Sequence, residues 1–228
     1  MRGWLFDDHK VNIHPQAVKM GGAWQSYRDG LPEAWDPESI SFFKDRMYEC
    51  GQGAVILDVG ANTGSFCLIP AVFGGCFVIL AFEPQWPVFR ILQENLRLNR
   101  LKGIVKPIPL ALSDENEIRE LKVSTGEGQS GLATFADDPP WIKNYEEVTA
   151  GTWKFDDEFK LHRLDLIKTD TEGHDINVLR GMEWHINRFR PGIMLESWPK
   201  EEALTYLMSI GYKIQGKAGR DNWYCTPS

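Results

Sequence analysis

Cysteine is scarce. The four present (Cys50, Cys67, Cys76 and Cys225) include no C-x-x-C pair, and none has a histidine neighbour at zinc-ligand spacing. That argues against a zinc module or a disulfide framework and marks the thiols as reduced, buried small hydrophobes. Basic residues are outnumbered, 25 Lys and Arg against 32 Asp and Glu, for a net charge of −7 with no long cationic run. Duplex nucleic acid and anionic membrane surfaces are poor partners for such a chain, because phosphate binding rests on clustered cations. The opening MRGWLFDDHK has no apolar core of a signal peptide, so a cytoplasmic location is expected. Charge is also missing from Val59 to Phe82, which raises the question of a membrane span. Asn62, Thr63, Ser65, Pro70 and the Gly74-Gly75 pair punctuate that run, and a buried parallel sheet accounts for its apolar character.

What is present is organised around VILDVGANTGSFCLIPAVFGGCFVILAFEP, Val55 to Pro84. An apolar run ends on Asp58 and breaks at Gly60, small residues lead through Gly64, and a helix-like segment precedes a second run that ends on Glu83. This is the strand, glycine turn, helix, strand and acid of a nucleotide-binding βαβ unit. Gly60 lets the backbone turn sharply off the strand, and Gly64 permits close packing. Glu83 follows Gly60 by 23 positions, near the spacing of about 20 residues at which a carboxylate meets a ribose diol.

The 228 residues suit an α/β chain, read as an irregular N-terminal arm or lid over 1–35 and one Rossmann-like domain over 36–228. A helix capped by Asp36 with Pro37 at its first position carries Ile40, Phe43 and Met47. Pro70 should kink or restart the helix after the glycine turn. Pro87 opens another helix. Ile104 to Leu112 reads as an edge strand because of Pro107 and Pro109, and Glu117 to Phe135 as a hairpin. Asp137 to Glu158 reads as an exposed excursion near the site. Leu164 to Thr169 and Gly192 to Leu195 are further strands, Pro199 to Ser209 is a helix, and Tyr212 to Gln215 with Trp223 to Cys225 closes the chain as a hairpin. Most of the nine tryptophans belong to packing, with one or two available as a platform for a flat or sugar-like ligand.

Ligands in open α/β sheets bind at the carboxyl ends of the strands. Those ends hold Asp58, Glu83, Ser113-Asp114, Asp170 to His174 and Glu196, an acidic set without a cationic phosphate clamp. LDVGANTGSF, AFEP, ALSD, LIKTDTEGHDINVLRGM and RPGIMLE, in that order, resemble the FkbM family of S-adenosylmethionine-dependent methyltransferases. The resemblance implies a seven-stranded, mostly parallel sheet with a reversed C-terminal strand. It also implies that Asp58 and the turn Gly60, Ala61, Asn62 to Gly64 hold the methionine end of S-adenosylmethionine, Glu83 beside Pro84 the ribose, and Ala111, Ser113 and Asp114 the adenine. The acceptor it implies is a hydroxyl of a sugar, a glycan or a small natural product.

A hydroxyl needs a base or a metal to become a nucleophile at neutral pH. His174 is one candidate base, since imidazole titrates near the working pH. Asp170 is a second, Glu172 an orienting group, and Glu196 and Trp198 are acceptor-side residues. Asp170, Glu172 and Glu196 could instead collect Mg²⁺, although no metal is assigned. Two other readings stay open, a cofactor-binding partner protein without catalysis and an NAD-linked oxidoreductase.

Overall fold

The computed structural model describes residues 2–6, 9–20, 36–75, 77–126, 129, 132–137, 139–196, 202–219 and 221–228. In chain order the elements are β1 (Arg2–Phe6), β2 (His9–Ile13), α1 (Pro15–Met20), α2 (Pro37–Glu49), β3 (Ala54–Val59), α3 (Ser65–Val72), β4 (Phe77–Phe82), α4 (Trp86–Leu98), β5 (Val105–Ile108), β6 (Ala111–Ser113), β7 (Glu117–Ser124), β8 (Ala133–Thr134), β9 (Tyr145–Lys154), α5 (Phe155–Glu158), β10 (Leu166–Thr169), α6 (Asp175–Gly181), α7 (Glu183–Phe189), β11 (Gly192–Glu196), α8 (Glu202–Ser209), β12 (Tyr212–Lys217) and β13 (Asn222–Pro227). Trp24, Tyr27 and Trp198 lie outside the described residues.

The apolar runs form strands because both faces of the sheet are covered. Seven strands lie in the order β12-β13-β11-β10-β3-β4-β5. Five are parallel neighbours, while β13 runs antiparallel to β11 and β12. This is the Rossmann-like sheet with a reversed last strand that the sequence leads one to expect. Successive residues of each strand point to opposite faces, so Ile56, Ile79, Leu166 and Met194 join one core with Phe43 of α2, Leu68 of α3 and Leu92 of α4. Leu57, Leu80, Ile167 and Ile193 join the other with Val178 of α6, Ile186 of α7 and Leu207 of α8. No described helix is long and apolar enough to cross a membrane.

Asp36 caps α2 as expected, accepting from the Ser39 amide at 3.1 Å. Pro70 neither ends nor restarts α3, which continues to Val72. The hydrogen bond it deletes would have gone to Phe66, in the first turn, so only one carbonyl of a short helix is affected.

Three expectations are overturned. The stretch Ile104 to Leu112 is not one strand: β5 is the edge of the main sheet, and the Leu110 amide turns back onto Ile108 O (3.0 Å) so that β6 enters a second sheet, ordered β6-β9-β7-β8. The polar segment Asp137 to Glu158 is not an excursion, because β9 pairs with β6 on one side and β7 on the other. Its first five residues are exposed on the rim of that sheet, which hides the alternation that marks a strand. Residues 2–6 and 9–20 are not an irregular arm either. Val11, Ile13 and Ala17 enter the core, and two asparagines of the α4 region hold the backbone. The Asn12 amide donates to Asn99 Oδ1 (2.8 Å) and the His14 amide to Asn95 Oδ1 (2.7 Å).

Candidate functional site

The glycine turn is tied to both neighbouring strands. The Gly60 and Ala61 amides donate to Phe82 O at 3.0 and 2.9 Å, and the Asp170 amide to Val59 O at 3.0 Å. Gly60 has φ 76°, and a Cβ there would lie 1.9 Å from the Asp170 carbonyl oxygen, so only glycine permits this closeness. Asn95, fully buried in α4, donates to Thr63 O at 2.8 Å. The same side chain that anchors the N-terminal segment therefore also supports the turn.

Glu83 stands where β4 ends. Its Oε2 accepts from the Asn62 amide (2.9 Å) and its Oε1 from the Gln85 amide (2.8 Å). Burial pushes its carboxyl up to about 7 against these two hydrogen bonds. Each oxygen keeps a lone pair, and Glu83 lines a cavity of about 700 Å³, within the usual range of roughly 300–1,000 Å³ for small-molecule sites.

Of the residues singled out in the sequence, Gly60, Ala61, Asn62, Glu83, Pro84, Ala111, Asp170, Glu172, His174 and Glu196 all line this cavity. Asp58, Gly64, Ser113 and Asp114 are placed behind that lining as its support. Ser113 Oγ donates to Asp114 Oδ1 (3.1 Å) and meets His174 Nε2 at 3.0 Å, while Asn177 Nδ2 donates to Asp114 Oδ1 at 3.0 Å. His174 lies against Phe135, centroids 5.1 Å apart. Burial, aided by the Arg119 charge, pushes its imidazole down to about 4, so it is neutral at physiological pH. Trp153 does not line the cavity; Trp141 does.

Asp170, Glu172 and Glu196 each bring a carboxylate oxygen within 4.8 Å of the others. They cannot all ionise at neutral pH, since like charges this close oppose one another. Burial works to raise Asp170, but the Lys168 ammonium and hydrogen bonds from Glu196 and Lys168 hold it below the usual carboxylate range. The Asp170 charge and burial push Glu196 up to about 11, so it keeps its proton and donates it to Asp170. Burial, then the charges of Asp170 and Asp175, pushes Glu172 up to about 8. Glu172 is held at φ 53°, a left-handed conformation that costs roughly 1–3 kcal/mol in a non-glycine residue and clusters at functional sites.

The strand-end inventory missed Lys168. Its side chain is 2 % exposed and lines the cavity, with Nζ 2.9 Å from Asp170 Oδ2, 3.9 Å from Asp58 Oδ1 and 4.5 Å from the centroid of Phe66. The acidic end is therefore not free of cations. Burial opposes the ammonium, but the Asp170 and Asp58 carboxylates outweigh it and hold its pKa above the usual lysine range. A lysine inside the apolar strand LIKT was the available signal, because buried charges need partners. Asp58 is also fully buried; burial pushes its carboxyl up, against the Lys168 charge and the Cys67 thiol and amide beside it.

A glycine cradle beside a carboxylate with open lone pairs suits a nucleoside-bearing ligand. Sequence comparison agrees with this geometry. The Methyltransferase FkbM domain family matches residues 58–214. Methyltransferase sdnD of Sordaria araneosa is 29% identical, over 71% of this chain and 76% of its own length. Hexuronic acid methyltransferase AglP of Haloferax volcanii is 29% identical over 60% of this chain, which spans 53% of AglP. The crystal structure of a methyltransferase FkbM from Methylobacillus flagellatus superposes with a TM-score of 0.52 at 17% identity, covering 76% of this chain and 43% of that one, which is a likeness of fold. With the family match running from the buried acid Asp58 through the strand ends that line the cavity and on past Glu196, the chain belongs to the FkbM methyltransferase family.

Proposed function

We propose that this chain is an S-adenosylmethionine-dependent O-methyltransferase acting on a hydroxyl of a sugar, a glycan or a small natural product. The observation that carries the cofactor assignment is Glu83, held by two backbone amides beside the glycine turn with its remaining lone pairs facing the cavity. A carboxylate so placed accepts from both hydroxyls of a ribose. Ala111 and His174 form the adenine wall, His174 steadied by Ser113. The cofactor, when bound, supplies an electrophilic methyl carbon on a sulfonium sulfur.

The carboxyl cluster is the natural acceptor side. Two of its members keep a proton near neutral pH, and Lys168 balances Asp170, so this end favours a polyhydroxyl acceptor over a strongly cationic one. In its ionised form, which gains population as pH rises toward 8, Glu172 would take up the proton of the acceptor hydroxyl. Its pKa near 8 suits a base working near neutrality. Asp170, fixed by Lys168 and Glu196, accepts a hydrogen bond from the same hydroxyl and orients it. The base role considered for His174 passes to Glu172, because a neutral imidazole hydrogen-bonded to Ser113 stands at the adenine wall. Lys168 and the shared proton on Glu196 supply the balance that Mg²⁺ would otherwise bring, so the reading is metal-independent. AglP, by name a hexuronic acid methyltransferase, favours a saccharide acceptor, and Trp141 offers a ring for it. A cytoplasmic location fits the free thiols of Cys50, Cys67 and Cys225.

Calorimetric titration with S-adenosylmethionine and S-adenosylhomocysteine, followed by incubation of methyl-labelled cofactor with hexoses and hexuronic acids, tests this reading. Micromolar binding and label recovered in a methyl ether are expected. Binding without transfer to any hydroxyl compound would favour a non-catalytic partner protein, and binding of NAD in its place would revive the oxidoreductase reading.

A further inference from the structure

Glu172 is held at φ 53°, and Gly173 follows it at φ 90°. Two left-handed residues in succession between β10 and α6 persist only where their surroundings hold them. Those surroundings come from the second sheet and the segment beside it, which grip three consecutive residues. Thr134 of β8 donates its hydroxyl to Glu172 O at 2.6 Å. The Trp141 indole packs on Gly173, where a Cβ would lie 3.4 Å from the ring. Ser113 of β6 meets His174 Nε2 at 3.0 Å, with Phe135 against the imidazole.

Of these, Thr134 is the one that acts on Glu172. It is 1 % exposed and stands between Ala133 and Phe135, which line the cavity; strand alternation directs its side chain to the other face. Its Oγ1 accepts from the Ala136 amide at 3.0 Å, which leaves the hydroxyl proton to the Glu172 carbonyl. Valine is β-branched like threonine and suits a strand equally, so the hydroxyl is the part that packing does not call for. The Glu172 carboxyl meanwhile lies within 4.8 Å of those of Asp170 and Glu196. One residue thus has its carbonyl tied to the second sheet and its carboxyl among the strand ends of the main sheet.

We infer that Thr134 is a positioning residue for Glu172: its hydroxyl fixes the left-handed backbone that holds the Glu172 carboxyl in the cluster with Asp170 and Glu196. This rests on the reading of Glu172 as the base. Without the hydroxyl the Glu172 backbone relaxes toward an ordinary conformation, and the carboxyl leaves its buried, acid-lined place. Burial and the charges of Asp170 and Asp175 are what raise its pKa, so the displaced base titrates lower and stands off the acceptor hydroxyl.

The test compares Thr134→Val and Thr134→Ser with wild type, using methyl-labelled S-adenosylmethionine and glucuronic acid. Thr134→Val should lower kcat about 10- to 100-fold, the scale of a misplaced catalytic group, and leave S-adenosylhomocysteine affinity within about two-fold. It should also move the alkaline limb of the rate below its wild-type position, which the pKa of about 8 sets. Thr134→Ser, which keeps the hydroxyl, should recover most of the rate and return the limb. A limb that stays in place in Thr134→Val, or a serine variant no better than the valine one, overturns the inference and leaves Thr134 a packing residue. A second arm needs no acceptor. In urea unfolding, Glu172→Gln should stabilise the protein more at pH 9 than at pH 4, and this difference should shrink in the Thr134→Val background; an undiminished difference overturns the inference as well. Should Thr134→Val fail to fold, Thr134→Cys, whose thiol is a weak donor, takes its place, with a smaller shift expected in both arms and no shift refuting the role. Label transferred to no hydroxyl compound would defeat the activity reading alone, since the unfolding arm still decides the role of Thr134.

Discussion

Asp58 and Lys168 face one another in register on adjacent parallel strands, both buried, with 3.9 Å between Oδ1 and Nζ. The ammonium leans toward the strand end, where Asp170 takes it at 2.9 Å. Asp58 keeps the Cys67 amide and thiol as neighbours, while Asp170 is held by Lys168 and Glu196.

Glu83→Ala should weaken S-adenosylhomocysteine binding about ten-fold or more, the effect of removing a charged hydrogen-bond acceptor. Because the ionised carboxylate is the better acceptor and its pKa is about 7, wild-type affinity should rise from pH 6 to pH 8. Titrations at both pH values check this; an affinity insensitive to pH and to the substitution would remove Glu83 from the site.

Glu172→Gln should lower kcat by about 10²- to 10⁴-fold, the range of a lost general base, and leave S-adenosylhomocysteine affinity within about two-fold. The wild-type rate should rise with pH through the cluster's apparent pKa near 8. His174→Asn should behave oppositely, raising KM for the cofactor with a smaller effect on kcat. A His174 variant that lost the alkaline limb would return the base role to the imidazole.

The same Glu172 has a stability signature. Its folded pKa of about 8 lies above the ordinary glutamate value of 4.5, so between those values the folded state holds a proton that the unfolded state releases. Stability therefore falls as pH rises across that window. Glu172→Gln should be neutral at pH 4 and stabilising at pH 9, by on the order of 1 kcal/mol after solvent screening, in urea unfolding.

Asn95→Ala removes the hydrogen bonds to Thr63 O and from the His14 amide. Leaving those buried groups unsatisfied should cost about 1–3 kcal/mol and weaken cofactor binding through the glycine turn. Denaturant midpoints and a titration on the same preparation report both effects; an unaltered midpoint would mean the N-terminal segment is held by other contacts.

Excess chelator should leave binding and turnover within about two-fold of untreated protein, since Lys168 and the proton on Glu196 already balance Asp170. A large loss restored by Mg²⁺ would instead place a cation among Asp170, Glu172 and Glu196.

The βαβ unit, the carboxylate that ends β4 and the reversed last strand were legible in the sequence. Strands buried on both faces read as unbroken apolar runs, and the chain must mark their ends with glycines and acids, so Val55 to Glu83 declares itself locally. The tertiary structure alone decided the second sheet, the docking of residues 9–20 and the partners of Lys168. Pairing of β9 with β6 and β7 depends on long-range register, and its exposed half lacks the alternation that would announce it. Asp58 and Lys168 are separated by 110 positions in sequence, and only the parallel alignment of β3 with β10 makes them neighbours. His174 likewise reads as an ordinary imidazole in the sequence; burial beside Ser113 and Phe135 pushes it down to about 4, because the charge state of a side chain follows from what surrounds it in space and not along the chain.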